Sequence, residues 1–268
     1  MVDTNLKSVQ KDLTFPRGSD SGITFDREAA MKSVRCCGDQ ARNNFGYGGS
    51  REYLMPDTLD QIKEGYLIFD VGCGNASQAL DYSGLVEGGE VCCIDPSEEM
   101  IRKARRKINE LNLRNVQAYE MDGTHLEPLV VKYGHPNLIL LFNVLCYVPQ
   151  NHAKAIVRAC YNASDEGTKI ICSTAAQEAH LMDAYNRKDK KKEMEVLEGR
   201  LIFKFEDEGV PCEAEGTLYS ERELKELFIS NGFGIDKFVS IYPDYRESVQ
   251  GVPKGYYLIA KKNMKLWG

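Results

Sequence analysis

Long hydrophobic runs are missing from this 268-residue sequence. None of its apolar stretches approaches the roughly 20 residues that a transmembrane helix needs. The first residues, Met-Val-Asp-Thr-Asn-Leu-Lys, also lack the basic start and the apolar stretch of a secretory signal. The sequence therefore predicts a globular protein without a membrane segment, and we expect it to be cytoplasmic.

An excess of positive charge and the cysteine spacing of a metal site are missing as well. The formal net charge is −6, which argues against a nucleic-acid partner because nucleic-acid-binding domains carry a basic surface. The nine cysteines include no Cys-x-x-Cys pair, which is the ligand spacing typical of structural zinc. We therefore expect reduced thiols, no metal ion and no nucleic-acid partner, whereas nothing in the sequence indicates an oligomeric state.

What the sequence does contain is an apolar run that leads into a glycine-rich turn, Leu67-Ile-Phe-Asp-Val-Gly-Cys-Gly-Asn-Ala-Ser-Gln-Ala-Leu80. A buried strand followed by such a turn and a helix is how an α/β sheet brings its backbone close to a ligand. Gly72 and Gly74 lack the Cβ atoms that would block this approach. The pattern is Asp-x-Gly-x-Gly-x-Ala, with Asp70 ahead of the glycines and Ala76 in the third position, and it differs from the Gly-x-Gly-x-x-Gly of nicotinamide and flavin proteins.

Strands and helices alternate between residues 67 and 173, which predicts a parallel, doubly wound sheet. Residues 175–216 break the alternation and contain one possible strand, 201–205. The pair Ser220 and Glu223 forms a capping-box pattern that predicts the start of a later helix. The predicted strands of the main sheet are 67–71, 90–94, 116–120, 138–142, 169–173, 235–242 and 255–261.

Three carboxylates stand at the ends of successive predicted strands. Asp70 ends the first strand, Asp95 ends the second, and Asp122 lies just past the third. Because ligands of open α/β sheets bind outside the carboxyl ends of the strands, we expect these acids to share one rim. Asp95 follows Gly74 at the distance where an acid usually meets ribose hydroxyls, and a carboxylate accepts two such hydrogen bonds.

With the residues around these acids, the chain resembles the class I S-adenosylmethionine-dependent methyltransferases. The resemblance covers about residues 60–175, and it implies an α/β, Rossmann-like sheet of seven strands in the order 3-2-1-4-5-7-6, with the last strand antiparallel and helices on both faces. The matching stretches are Asp70-Val-Gly-Cys-Gly-Asn-Ala76, Cys93-Ile-Asp-Pro-Ser-Glu-Glu-Met100, Met121-Asp-Gly123 and Leu140-Leu-Phe-Asn-Val-Leu-Cys-Tyr-Val148.

The resemblance also implies a domain division and a cofactor. One domain of residues 1–268 would consist of an amino-terminal arm and cap helices (1–58), a cofactor-binding core (59–174), an insertion or lid (175–216), and a closing helix and strand pair (217–268). The cofactor would be S-adenosyl-L-methionine and the product S-adenosyl-L-homocysteine.

The resemblance assigns the cofactor contacts to residues of the matching stretches. The methionine part would lie against Asp70, Gly72 and Gly74, and the ribose would be held by Asp95. Pro96 and Met100 would pack near the adenine. Asp122 would accept a hydrogen bond from the adenine amino group, and Gly123 would lie beside it. Phe142 and Asn143 would close the pocket.

The acceptor is less clearly indicated than the cofactor. Residues 143–148 and 218–224 are most similar to histamine-type small-amine N-methyltransferases, and the second helix region also resembles the quinone and arsenite methyltransferases. We expect a small-molecule acceptor, with an amine nitrogen favoured slightly over a hydroxyl oxygen. The alternatives are a protein or RNA methyltransferase and a catalytically silent scaffold that binds the cofactor.

Aromatic and histidine side chains are the candidates for the acceptor site. The catalytic candidates are His180, Asn143 and Tyr147, and the substrate-binding candidates are Tyr47, Tyr147, Tyr242 and Tyr245. The other histidines, His125, His135 and His152, lie in loop or helix-start positions, where we expect them to be mostly solvated.

Overall fold

The structure is a computed structural model that describes residues 58–177, 194–197, 200–207, 210–242, 253 and 255–262. Apart from residue 58, the predicted amino-terminal arm and cap helices lie outside these residues. The strands described are β1 (Leu67–Val71), β2 (Glu90–Asp95), β3 (Val116–Glu120), β4 (Leu138–Phe142), β5 (Lys169–Ala175), β6 (Met194–Leu197), β7 (Arg200–Asp207), β8 (Val210–Thr217), β9 (Phe233–Ile241) and β10 (Gly255–Lys262).

Seven of these strands form one sheet in the order β3-β2-β1-β4-β5-β10-β9. The first five pair in parallel, and β10 runs antiparallel to both of its neighbours. Because β9 and β10 are the sixth and seventh strands of this sheet along the chain, the predicted order 3-2-1-4-5-7-6 is confirmed. The order reverses between β1 and β4, and a ligand crevice forms at such a switch point in open α/β sheets.

Helices cover both faces of this sheet, as the sequence predicts. They are α1 (Ser77–Tyr82), α2 (Glu98–Glu110), α3 (Glu127–Tyr133), α4 (Gln150–Ala163) and α5 (Glu221–Ser230). Side chains of α1 and α2 belong to one buried cluster, and those of α3, α4 and α5 belong to the other. Alternation along β1 feeds both clusters, since Ile68 packs on the first and Phe69 and Val71 on the second.

A second, three-stranded antiparallel sheet follows β5 in the chain, in the order β6-β7-β8. Apart from Thr217, the last residue of β8, its strands lie within the predicted insertion. The possible strand 201–205 is confirmed as part of β7, whereas β6 and β8 were not predicted. The hydroxyl of Thr217, at the end of β8, donates to the carbonyl of Val148 at 2.8 Å. This bond ties the second sheet to the loop that follows β4.

The carboxyl end of α4 is closed by a lysine from the last strand. Nζ of Lys262 donates to the carbonyls of Tyr161 and Ser164 at 3.1 and 2.6 Å and lies 4.5 Å from the centre of the Tyr161 ring. The last carbonyls of a helix lack partners within the helix and carry its negative partial charge, so a cation is favourable there. Lys262 therefore fastens β10 to α4.

Replacing Lys262 by methionine should lower the free energy of unfolding by about 1 to 2 kcal/mol, because charge-assisted bonds to two helix carbonyls are lost. Urea unfolding followed by circular dichroism measures this change. Lys261→Met is the matched control, since Lys261 is exposed on the same strand, and it should change stability by less than about 0.5 kcal/mol. Equal effects of the two substitutions would contradict the assigned role.

Candidate active site

The glycine turn after β1 is fastened to the end of β2. The amide groups of Gly72 and Cys73 both donate to the carbonyl of Ile94, at 2.7 and 3.0 Å. The amide of Gly74 donates to Oδ2 of Asp95 at 2.9 Å. The turn and the second rim acid are therefore one hydrogen-bonded unit at the carboxyl edge of the sheet.

Asp70 is a buried carboxyl at the centre of this unit, with 2 % of its surface exposed. Burial raises its pKa from the usual 3.8 to about 7; a 2.8 Å hydrogen bond from the Tyr82 hydroxyl partly opposes this rise and the nearby charge of Asp95 adds to it. Within the described residues no Lys or Arg pairs with Asp70. Because a buried carboxylate without a cation is unfavourable, this position suits a positively charged ligand group.

The carboxylate of Asp95 is oriented by hydrogen bonds, but it can still accept more of them. Its Oδ2 accepts from Gly74, and its Oδ1 accepts from the amide of Ser97 at 2.9 Å. Burial raises the pKa of Asp95, and these two backbone hydrogen bonds counteract part of the rise. Each oxygen keeps acceptor capacity for one further donor, which is what a pair of neighbouring hydroxyls requires.

Asp122 completes the rim, and its surroundings correct one prediction. Its Oδ1 accepts from the amide and the hydroxyl of Thr124, both at 2.8 Å, and its Oδ2 lies 3.2 Å from Nε2 of His152. Burial alone would raise the pKa of Asp122, but the His152 and Thr124 contacts outweigh it and the pKa is lowered. The expectation that His152 is mostly solvated was wrong, since it is 7 % exposed.

Gly72 and Gly74 have backbone φ angles of +73° and +56°, in the left-handed region, but only one of them faces open space. A Cβ at Gly72 would collide with the side chain of Val144, whereas a Cβ at Gly74 would have no atom within 4 Å. Gly72 is therefore needed for packing against the loop after β4. Gly74 leaves the space in front of the turn free.

This difference predicts different consequences of adding a methyl group at the two glycines. Gly72→Ala should destabilise the chain by about 2 to 4 kcal/mol, because steric overlap adds to the left-handed backbone cost. Gly74→Ala should cost only about 1 to 2 kcal/mol, from the backbone alone. Chemical denaturation of both variants checks this ranking, and a more stable Gly72→Ala protein would contradict it.

The remaining predicted cofactor residues surround the same rim. Pro96 and Met100 are half-buried beyond Asp95, at the start of α2. A Cβ at Gly123 would lie 2.7 Å from Val71 Cγ1, so this glycine lets the loop after β3 pack on β1. The same edge continues at the end of β4 with half-buried Phe142 and then Asn143, which has a φ of +54° and donates its amide to Ser173 O at 2.8 Å.

The predicted acceptor-site residues are only partly brought together. Tyr147 is half-buried at the end of a single 3₁₀ turn, Leu145–Tyr147, that follows Asn143. Tyr242 is 54 % exposed just past β9, at the same edge of the sheet but two strands beyond β5. Tyr47, His180 and Tyr245 lie outside the described residues and remain predictions.

Three residues of the site were not predicted as such: Tyr82, Val144 and His152. Each contacts a predicted residue from a different element, namely Asp70, Gly72 and Asp122. No local sequence pattern marks these contacts, because they join segments that are distant in the chain. The one relevant signal in the sequence is that Asp70 and Ile68 are two residues apart on a strand and therefore lie on the same face of the sheet, toward α1.

Six cysteines of the described residues have free thiols: Cys73, Cys92, Cys93, Cys146, Cys160 and Cys172. Burial raises the pKa of Cys73, which disfavours the reactive thiolate in the glycine turn. Across the described ranges, no three His, Cys, Asp or Glu side chains are grouped so that they could hold a metal ion. Nor does any helix in those ranges have the length and apolar character needed to cross a membrane.

A sheet in this order, with a glycine turn and rim acids at its switch point, defines the class I methyltransferase fold. Residues 68–167 match the family model described as a methyltransferase domain. The main sheet also has the fold of solved S-adenosylmethionine-dependent methyltransferases. A search of the curated proteins found no match.

Solved structures with the same fold come from several organisms. An S-adenosylmethionine-dependent methyltransferase from Clostridium acetobutylicum is 14 % identical over 87 % of this chain and 98 % of its own, with a TM-score of 0.64. One from Methanosarcina mazei is 20 % identical over 78 % and 98 %, with a TM-score of 0.61. The magnesium protoporphyrin IX methyltransferase of Synechocystis, solved with bound S-adenosylhomocysteine, is 17 % identical over 91 % and 90 %, with a TM-score of 0.52.

Proposed function

We propose that this protein transfers a methyl group from S-adenosylmethionine to a small-molecule nucleophile, with an amine nitrogen favoured slightly over a hydroxyl oxygen. The observation that carries the cofactor assignment is the Gly74–Asp95 hydrogen bond, which joins an open glycine turn to a carboxylate with two free acceptor positions. This arrangement suits a nucleoside whose ribose and amino-acid tail lie on either side of the turn.

The residues of the rim fit the successive parts of such a cofactor. The buried carboxyl of Asp70 would face the positively charged methionine part, which would lie over Gly72 and Gly74. Asp95 would accept from the two ribose hydroxyls. The adenine would lie between Pro96 and Met100 on one side and Asp122 and Gly123 on the other, and Phe142 and Asn143 would close the pocket.

The chemistry asks little of the protein beyond alignment and exclusion of water. S-adenosylmethionine supplies a methyl group that is already activated by a sulfonium, so the acceptor displaces it in line. The protein then has to hold the acceptor lone pair on the axis of the breaking bond and keep water out. An acceptor that arrives protonated must lose its proton first, and the candidates for assisting this are Asn143, Tyr147 and His180.

Three features support a small acceptor. The loop after β4, residues 143–148, and residues 218–224 are similar to histamine-type N-methyltransferases, and these are the segments that Thr217 connects through Val148. A neighbour of the same fold is named for a small molecule, magnesium protoporphyrin IX. The net charge of −6 also fits a small acceptor better than an RNA.

Transfer of labelled methyl groups tests this proposal. The full chain is incubated with methyl-labelled S-adenosylmethionine and a cell extract, and the label is counted separately in metabolites, protein and RNA. We expect it in the metabolite fraction, and we expect the Asp95→Asn variant to leave that fraction unlabelled. Label confined to protein or RNA would indicate a macromolecular acceptor, and cofactor binding without any transfer would indicate a silent scaffold.

A further inference from the structure

His152 interacts favourably with Asp122, whereas its position in its own helix offers it no stabilising interaction with the helix dipole. It is the third residue of α4, whose first turn contains no acid. The first turn of a helix carries a positive partial charge, so a histidine gains nothing from the helix there. Its ring nevertheless reaches the loop after β3, where Nε2 is 3.2 Å from Oδ2 of Asp122.

The two members of this pair differ in their access to solvent. The side chain of His152 is 9 % exposed and that of Asp122 is 25 % exposed. The carboxylate of Asp122 is therefore the more accessible member of the pair.

The acceptor positions of the Asp122 carboxylate are nearly all used. Thr124 donates twice to Oδ1, which closes the turn that begins at Asp122, and His152 occupies one position of Oδ2. A carboxylate offers about four acceptor positions in all. One position on Oδ2 therefore remains, and its direction is set by the histidine.

We infer that His152 is a positioning residue for recognition of the adenine base: it holds Asp122 so that the remaining acceptor position of Oδ2 meets the 6-amino group. This inference rests on the proposed function, which lays the adenine beside Asp122. A carboxylate fixed in this way accepts from a 6-amino group and repels a 6-oxo group. The pair Asp122–His152 therefore selects adenine over its deaminated counterpart, hypoxanthine.

The test compares two ligands that differ at this one position. S-adenosyl-L-homocysteine carries the 6-amino group, and S-inosyl-L-homocysteine carries a 6-oxo group. Calorimetric titration of the full chain should show that the adenosyl ligand binds at least about tenfold more tightly, as expected for one well-placed hydrogen bond to a charged group. In His152→Leu this preference should fall to about twofold or less, through weaker binding of the adenosyl ligand alone.

Three further variants keep the outcome interpretable. His152→Gln retains a donor and should restore part of the preference, which a purely structural role would not explain. His135→Leu is the matched control, because His135 contacts the other end of α4, at Ala163 O, from an exposed position. It should leave the preference unchanged. In an Asp122→Asn background, His152→Gln should have no further effect on the ratio.

The results separate this inference from the proposed function. Binding of neither ligand to the unaltered chain would overturn the proposed function itself. Binding with an unchanged preference in His152→Leu, or an equal loss of both ligands in a folded variant, would overturn only the role of His152. If His152→Leu does not fold, a partly retained preference in His152→Gln combined with a lost preference in Asp122→Asn supports the inference, and an unaltered preference in Asp122→Asn contradicts it.

Discussion

The Asp70→Asn variant is expected to be more stable than the unaltered chain at pH 8 and to have lost its affinity for S-adenosylmethionine. Burial raises the pKa of Asp70 from 3.8 to about 7, so at pH 8 the folded protein carries a buried negative charge. Asparagine removes the charge, and its side-chain oxygen can still accept the hydrogen bond from Tyr82.

The pH dependence of this effect has a definite sign. Between pH 3.8 and about 7 the folded chain retains a proton on Asp70 that the unfolded chain has released. Stability contributed by this group is therefore complete below the unfolded pKa, falls as the pH rises toward 7, and stays low above it. The advantage of Asp70→Asn should accordingly grow by about 2 to 3 kcal/mol between pH 5 and pH 8.

Urea unfolding at the two pH values measures this growth. Asp60→Asn, at an exposed position, is the matched control and should show no such growth. Tyr82→Phe removes the hydrogen bond that favours the ionised form of Asp70, so it should raise the folded pKa and extend the fall in stability to higher pH. An advantage of Asp70→Asn that is the same at both pH values would contradict the buried charge.

Ligand binding should oppose this destabilisation. A cationic ligand group beside Asp70 favours its ionised form, so binding releases a proton below pH 7. The affinity for S-adenosylhomocysteine should consequently rise with pH up to about 7 and level off above it. On the proposed function, the charge that destabilises the free protein would be the charge that holds the ligand, and this would account for a buried acid at this position.

Replacing Asp95 should abolish cofactor binding with little loss of fold. Asp95→Asn keeps one acceptor for the backbone amides but cannot accept from two ribose hydroxyls in addition to both amides. We expect at least a hundredfold weaker binding, because each hydrogen bond to a charged group contributes about 1.5 to 3 kcal/mol. Asp95→Ala should abolish the thermal stabilisation by the cofactor altogether.

Thermal unfolding with and without S-adenosylmethionine measures this loss. Glu98→Gln is the matched control, since Glu98 is exposed in the first turn of α2, three residues from Asp95, and it should keep the full ligand-induced shift. A stabilised Asp95→Ala protein would show that the ribose is held elsewhere.

The sequence predicted the main sheet because its signals are local. Short runs rich in apolar residues mark the strands, and Val116–Glu120 and Leu138–Phe142 were predicted with their observed limits. The capping box of Ser220 and Glu223 is confirmed in both of its hydrogen bonds. Such patterns are contained within a few consecutive residues, so they can be recognised without knowledge of the tertiary structure.

The missed elements lack such signals or contain opposing ones. β8 carries Pro211, which removes an amide donor and argues against a strand, but β8 lies at the edge of its sheet, where proline is tolerated. α3 has only seven residues, although Pro128 in its first turn is typical of a helix start. β6, with four residues, is too short to show a period.

The candidate site was predicted in its acids and glycines but not in what surrounds them. The turn and the three rim acids follow from strand ends, which the sequence marks. The strand ends do not explain why residue 72 must be glycine, because the side chain that leaves no room for a Cβ there belongs to Val144, beyond β4. Likewise, the sequence predicts a solvated residue at His152, because only the fold shows that α4 packs against the loop after β3.

Calorimetric titration of the intact chain with S-adenosylhomocysteine at pH 8 tests the central claim most directly. The site on β1 and β2 predicts saturable binding of one ligand per chain, and the same titration of Asp95→Asn should give no binding in the same concentration range. Absence of binding to the intact chain at ligand concentrations up to about 1 mM, the upper end of ordinary enzyme affinities, would contradict the assignment of this rim as the methyl-donor site.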